Sequence, residues 1–283
     1  MVTQAGRRIT QLPSEYSVID GLRTHYIKAG SGHPLLILHG GAPGGCARVI
    51  YGPCIEPLAE SGLAVYAPDA PGFGLTDFPE DPSTEYRIAH AKEFATAMGM
   101  DRYHVLGNSA GVYPALRLAL EDQRVAKVVI IAGAGVSLPL SPEAQAASRE
   151  HGEALNSYTP GLENMRQLTL GTLYRDELVS EELVKLRYEM SIGPNYEARL
   201  ARQGRESSRP SRPITPEEIA SSYHAPTLVV WGKNDPGSVI ERGYRTFEAI
   251  PGAELHAFDS CGHWPMWDQT ERFVSVVADF LKA

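Results

Sequence analysis

A serine hydroxyl is a weak nucleophile at neutral pH until an imidazole accepts its proton. The imidazole does so best when a carboxylate fixes its tautomer and stabilises its charged form. Three residues of this chain have the types and settings for that chemistry. Ser109 stands in Gly107-Asn-Ser-Ala-Gly111, a G-x-S-x-G pentapeptide. Such a pentapeptide also recurs by chance as a tight turn, so its context decides. Here an apolar run ends in it and an amphipathic pattern (Tyr113, Leu116, Leu118, Leu120) follows, the strand-turn-helix setting of a nucleophile elbow. Asp235 closes Trp231-Gly-Lys-Asn-Asp235, and His263 lies in Cys261-Gly-His-Trp264. Both have plainer readings, the aspartate as a turn residue before Pro236 and the histidine as one of nine. His263 alone among the nine sits in a glycine-flanked loop after the last expected strand. Asp69 is a rival acid, but it precedes the serine, and the Ala-Pro-Gly after it reads as turn chemistry.

A tetrahedral oxyanion needs backbone N–H donors. Ala110, directly after the nucleophile, is expected to supply one, and the His39-Gly40-Gly41 loop the other, most plausibly through Gly41. That loop lacks the Gly-Lys-Ser/Thr ending of a P-loop and the G-x-G-x-x-G of a dinucleotide fold. Further along, Leu183, Leu186 and Met190 share a helix face, and Arg187 falls on the same stripe. A guanidinium there must find an anion, because burying it unpaired is costly. The anion is either a carboxylate of the same segment, such as Glu163, or a substrate carboxylate held bidentately.

These residues are positioned by an alternation of strands and helices. Asp20-Gly21 joins two strands as a hairpin. The apolar runs 34–38, 63–67, 103–106, 125–132, 227–231 and 254–258 read as strands buried on both faces, with helices at 85–98 and 270–281. Ser109, Asp235 and His263 each follow such a strand, and parallel strands present those ends on one edge. From about 135 to 213 no buried strand is expected, only helix starts at Ser141-Pro142, Thr159-Pro160 and Ser180. A polar, proline-rich connector over 203–213 follows, then a capping box at Thr215-Pro-Glu-Glu218. The expected architecture is α/β: a mostly parallel sheet with flanking helices, core segments 1–136 and 214–283, and a helical cap over 137–213.

The 283 residues carry a net charge of −8, which argues against nucleic acid and anionic membrane surfaces as partners. Three cysteines show no metal-ligand spacing and are too odd a number for a disulfide framework. The first residues lack the apolar core of a signal peptide, so a cytoplasmic protein is expected.

The motifs together resemble the α/β-hydrolase superfamily, and within it the meta-cleavage product hydrolases that break carbon–carbon bonds. The matching pieces are His39-Gly40-Gly41 with Pro43-Gly44, Asp69-Ala-Pro-Gly-Phe73, the elbow, the Asp235 and His263 motifs, and Leu186-Arg-Tyr-Glu-Met-Ser191. The order serine, aspartate, histidine is that of the superfamily; Asn108, Arg187 and Trp264 together point to the subgroup. The resemblance implies a 2-hydroxy-6-oxo-2,4-dienoate as substrate. Arg187 and Trp264 would hold the carboxylate end, and Gly40 and Asn108 would line the site. It also implies a dimer or higher oligomer and no metal or organic cofactor. The chain departs from the pattern in three places: Cys46-Ala-Arg-Val-Ile-Tyr51 lacks a substrate-contacting asparagine, Val112 replaces a glycine, and Pro236-Gly-Ser follows Asp235. A carboxylesterase or lactonase, with Arg187 satisfied inside the cap, is the alternative.

Overall fold

Among the described residues eight strands form one sheet: β1 (Glu15–Ile19), β2 (Leu22–Ala29), β3 (His33–Leu38), β4 (Leu63–Pro68), β5 (Tyr103–Asn108), β6 (Val125–Ile131), β7 (Thr227–Gly232) and β8 (Glu254–Phe258). The computed structural model describes residues 11–203 and 212–283. The strand order is β1-β2-β4-β3-β5-β6-β7-β8. β1 and β2 pair antiparallel, β2 meets β4 antiparallel, and the remaining pairs are parallel. In the β1–β2 hairpin, Asp20 and Gly21 both take left-handed backbone, with φ of 46 and 78, as a two-residue primed turn requires. Every residue of β4, β5 and β7 is buried, which explains their unbroken apolar runs. The parallel strands carry their C-terminal ends, and hence the loops after Leu38, Asn108, Gly232 and Phe258, to one edge.

Helices α1 (Ala47–Glu60), α2 (Thr84–Ala97) and α3 (Val112–Glu121) connect the first strands. α1 has no clear signal in the sequence, because Pro53 and Pro57 lie inside it and interior prolines disfavour helix. It forms nonetheless, with Val49, Ile50, Tyr51, Cys54, Ile55 and Leu58 essentially inaccessible to solvent. Burial on that scale outweighs two missing backbone hydrogen bonds.

Among the described residues of the stretch expected as a cap lie four helices, α4 (Pro142–Asn156), α5 (Leu162–Leu170), α6 (Glu181–Glu189) and α7 (Pro194–Gln203). Ser141 and Ser180 cap α4 and α6, accepting from the N–H groups of Ala144 and Leu183. Thr159 does not play the expected cap. α5 begins at Leu162 with Gly161 before it, and the Thr159 carbonyl and hydroxyl accept from the Asn164 amide instead. α7, a fourth helix, opens on Pro194, but Gly193 rather than a serine or threonine precedes it. The two ends of this segment meet, with Val136 bridged to Ile214 and the Ser137 N–H donating to the Ile214 carbonyl at 2.7 Å. Most of the expected 203–213 connector lies outside the described residues.

α8 (Pro216–Ser222) follows, then α9 (Ile240–Ala249), α10 (Pro265–Asp268) and α11 (Thr270–Lys282). The Thr215 hydroxyl accepts from the Glu218 N–H at 3.2 Å, but the Glu218 carboxylate does not return to the cap. It pairs with the buried Arg117 at 2.7 Å, a stronger charge-assisted bond. Among the described residues no helix is long and apolar enough to cross a membrane.

Candidate active site

Ser109 adopts φ 54, one of four non-glycine residues with positive φ among the described residues, in backbone that costs about 1–3 kcal/mol for a residue with a Cβ. Its glycine neighbours are required for a different reason. A Cβ on Gly107 would strike the Gly111 carbonyl, and one on Gly111 the Leu38 carbonyl. So Gly107 and Gly111 supply room for the close packing of strand and helix, while the serine itself carries the left-handed turn.

The loop after β7 brings Asp235 to this edge, and the loop after β8 brings His263. His263 Nδ1 lies 2.5 Å from Asp235 Oδ2. The other carboxylate oxygen accepts the N–H groups of Gly237 and Ser238 at 3.0 and 2.8 Å. The aspartate is therefore both turn residue and histidine partner, one oxygen for each. With Nδ1–H facing that carboxylate, Nε2 is the basic nitrogen of the ring. Ser109 and His263 line the same small cavity, of about 20 Å³, with Gly40, Asn108, Thr172, Trp264 and His151. Asp268 anchors the histidine loop: its carboxylate accepts from Gly262 N–H at 2.7 Å and from the N–H groups of Tyr174 and Arg175. The His263 N–H donates to the Thr172 carbonyl at 2.9 Å.

On the opposite wall, His39 sets the glycine loop. The Ala70 N–H donates to His39 Nε2 at 2.8 Å, so the proton must sit on Nδ1, which donates to the Gly40 carbonyl at 2.7 Å. Burial lowers the affinity of this ring for a second proton and keeps the pattern intact. The Gly41 Cα approaches Ala110 closely, a Cβ there lying 3.2 Å from the Ala110 methyl. A Cβ on Gly40 would lie 3.1 Å from both Asn108 Oδ1 and Ser109 Cβ. The Asn108 side chain donates to the Ile131 carbonyl, and its own oxygen has no partner.

Arg187 is wholly inaccessible to solvent. Nε donates to the Pro43 carbonyl at 3.2 Å and Nη1 to the hydroxyls of Thr169 and Thr172 at 3.2 and 3.3 Å. Nη2 has no partner. The guanidinium stands 4.8 Å from the Trp264 ring centre, and burial lowers its pKa to about 9. Glu163, the internal anion considered from the sequence, is exposed and engages Arg166 and Gln167 instead. The glycine loop and α6 interlock at Gly44, whose φ of 70 admits no ordinary side chain and whose Cβ would run into the Arg187 carbonyl. Asp69 is held away from this site: it accepts from Ala47 and Leu75 N–H groups and faces His25 Nδ1 at 2.8 Å.

Sequence reasoning passed over His151. It reaches from α4 to within 6.2 Å of the His263 ring and rests on Gly237, where any Cβ would collide with it. Only a mid-helix histidine amid polar residues marked it. Thr169 and Thr172 were equally silent. Cys46, Cys54 and Cys261 are buried free thiols, and among the described residues no group of three His, Cys, Asp or Glu side chains is placed to hold a metal ion.

Residues 35–276 match the alpha/beta hydrolase family. The chain is 32% identical over 274 residues to 2-hydroxymuconate semialdehyde hydrolase of Pseudomonas sp. strain CF600, covering 92% of this chain and 91% of that one. It is 30% identical to 2-hydroxy-6-oxo-2,4-heptadienoate hydrolase of Pseudomonas putida, covering 93% and 94%. Among solved structures, a meta-cleavage product hydrolase from Pseudomonas fluorescens IP01 superimposes with a TM-score of 0.83 at 30% identity, over 96% and 98% of the chains. Elbow, sheet order and relatives agree, and the chain belongs to the alpha/beta hydrolase family, alongside the hydrolases of meta-cleavage products.

Proposed function

We infer that this chain is a serine hydrolase that cleaves the C5–C6 bond of a 2-hydroxy-6-oxohexa-2,4-dienoate. The observation that carries the reading is Arg187, a desolvated cation with a free donor beside Trp264 and one residue removed from the catalytic cavity wall. A charged group so placed is costly unless an anion arrives, and a substrate carboxylate is such an anion. Breaking a carbon–carbon bond needs an electron sink, so the dienol first becomes its keto tautomer, with His263 moving the proton. Ser109 then adds to the C6 carbonyl, losing its proton to His263 Nε2. The oxyanion is held by the N–H groups of Gly41 and Ala110. The C5–C6 electron pair becomes the C4–C5 double bond and pushes charge through the conjugated system onto the 2-oxygen, which takes the proton from His263, and a 2-hydroxydienoate departs from the acyl-enzyme. Water, deprotonated by His263, releases the acid. In this scheme the segment over 137–213 is a cap that closes the carboxylate end.

A second reading, ester or lactone hydrolysis, draws on the neutral acceptors around Arg187, namely Pro43, Thr169 and Thr172. Offering the purified protein a chromogenic dienoate and simple aryl esters separates the two. Turnover of the dienoate, with kcat/KM falling about 10²-fold in Arg187→Ala for the loss of a charge-assisted contact of about 3 kcal/mol, supports the first. Turnover of esters alone, indifferent to Arg187→Ala, replaces it with the second.

A further inference from the structure

The cavity of about 20 Å³ that Ser109 and His263 line has room for a water molecule. His151 is a third polar side chain in its wall. Beyond His151 and Leu155, one turn apart on α4, lies an outer cavity of about 400 Å³, whose lining includes the polar side chains of Asn164 and Gln167. His151 and Leu155 line both spaces, so water in the outer one stands against the reacting centre.

The turn that orients the Asp235 carboxylate also fixes His151. Gly237 donates its N–H to Asp235, and a Cβ on it would strike the His151 ring, with Cγ, Cδ2 and Nδ1 the nearest atoms. The base of the imidazole therefore covers the glycine, and the far edge, with Nε2, lies beyond it. Three residues earlier on α4, the Ser148 hydroxyl donates to the Gly237 carbonyl and accepts from Arg242 Nη2, both at 3.3 Å. Pro236-Gly-Ser after Asp235 thus has a physical reason, since a side chain at 237 would displace this ring.

Filling space over a glycine does not require nitrogens. Among the described residues neither ring nitrogen of His151 has a hydrogen-bond partner. The ring centres of His151 and His263 are 6.2 Å apart, too far for a direct hydrogen bond. One water can join them, because two hydrogen bonds of about 2.8 Å span about 5–6 Å. Burial, then the neighbouring charge of His263, keeps the proton affinity of His151 below the ordinary histidine value. The ring is therefore neutral at neutral pH and offers one nitrogen as an acceptor.

We propose that His151 holds the water that hydrolyses the acyl-enzyme. The water oxygen bonds to the acyl carbon, one of its protons passes to His263 Nε2, and its second O–H donates to the free nitrogen of His151. Collapse of the tetrahedral intermediate breaks the bond to Ser109 Oγ, which recovers the proton from His263, and the acid leaves. Without His151 the second O–H would turn toward the apolar side of the cavity, formed by Ala42, Ile50 and Leu155, and go unpaired. The other acceptor without a partner, Asn108 Oδ1, lies against Gly40 in the wall of the glycine loop.

The proposal rests on an acyl-enzyme at Ser109, which the dienoate and ester readings share, so its test uses whichever of those two acyl donors the protein turns over. His151→Phe keeps a ring over Gly237 and removes both nitrogens, and His151→Gln keeps hydrogen-bonding groups. At saturating substrate, intact-protein mass spectrometry gives the ratio of acylated to free Ser109. In His151→Phe this ratio is expected to rise at least about tenfold, the worth of one hydrogen bond to the attacking water. kcat/KM, which reports acylation, is expected to hold, so that kcat and KM fall together wherever deacylation limits turnover. His151→Gln should return the ratio toward the wild-type value. A ratio unchanged in folded His151→Phe overturns the proposal, as does a fall in kcat/KM as large as that in kcat, or a glutamine variant no better than the phenylalanine one. Should the phenylalanine variant not fold, His151→Met, whose flexible side chain also lacks a hydrogen-bonding nitrogen, carries the same expectations. If neither donor gives product in a Ser109-dependent way, the reading of the reaction itself falls and this role falls with it. Turnover with deacylation unaltered removes the role of His151 alone.

Discussion

Asp69 and Asp235 each hold a buried histidine, and each histidine has a serine near it. In one line, Ser14 Oγ lies 2.9 Å from His25 Nε2, and His25 Nδ1 lies 2.8 Å from Asp69 Oδ2. In the other, His263 meets Asp235 at 2.5 Å and shares a cavity wall with Ser109. On hydrogen bonds alone the first line is the more complete. What separates them is everything around the hydroxyl. Ser14 precedes β1 on ordinary backbone and also accepts from Arg48 Nη2 at 2.9 Å, which leaves its oxygen committed. Ser109 is forced to φ 54 at a helix N-terminus, with Ala110 and the Gly40-Gly41 backbone pressed against it. A hydrogen-bonded row of the right residue types is a structural tie unless strain, an oxyanion cradle and space for a substrate coincide at its nucleophile.

The largest expected effect is Ser109→Ala. It should lower kcat by 10⁴-fold or more on the substrate the protein proves to use, and abolish labelling by a fluorophosphonate that modifies the wild-type protein once. Labelling of Ser14 in either protein would dissolve the distinction. Next, Asp235→Asn should cost about 10⁴-fold in kcat through the wrong histidine tautomer, with little change in melting temperature. Asp69→Asn should do the reverse, destabilising by about 2–4 kcal/mol as a buried charged partner is lost while the folded protein keeps its turnover. Acid sharpens this contrast. Burial alone would raise the Asp69 carboxyl, but the hydrogen bond and charge of His25 outweigh it and hold it below the ordinary carboxylate value. A lowered folded-state pKa contributes stability that is complete above about pH 4 and is lost as pH falls through the lowered value. Wild-type and Asp69→Asn denaturation curves should therefore converge in strong acid and separate on the neutral side. Smallest of all, Ser14→Ala should leave turnover unchanged and shift stability by no more than about 1 kcal/mol.

The sheet was readable because buried parallel strands are written as unbroken apolar runs, and 34–38, 63–67 and 227–231 fall within β3, β4 and β7. The elbow was readable because a strand must end and a helix begin on either side of Ser109. α1 was not, since its two prolines oppose the local rule and only the packed surroundings decide in favour of helix. Nor was the start of α5, where Thr159-Pro160 imitates a cap two residues too early. Arg187 could be singled out as a cation on an apolar stripe, whereas its neutral partners Thr169 and Thr172 come from α5 and the loop beyond it and have no spacing to betray them.

Thr172 has a consequence for how substrate capture reaches the reacting centre. Its hydroxyl accepts from Arg187 and its carbonyl from the backbone of His263, so a single residue is the strut between the guanidinium proposed to hold a carboxylate and the imidazole proposed to move protons. A ligand pulling on the guanidinium loads the imidazole's own scaffold. Separating Thr172 to Arg175 from the His263 loop would have to break both this strut and the hydrogen bonds Asp268 accepts from Tyr174 and Arg175.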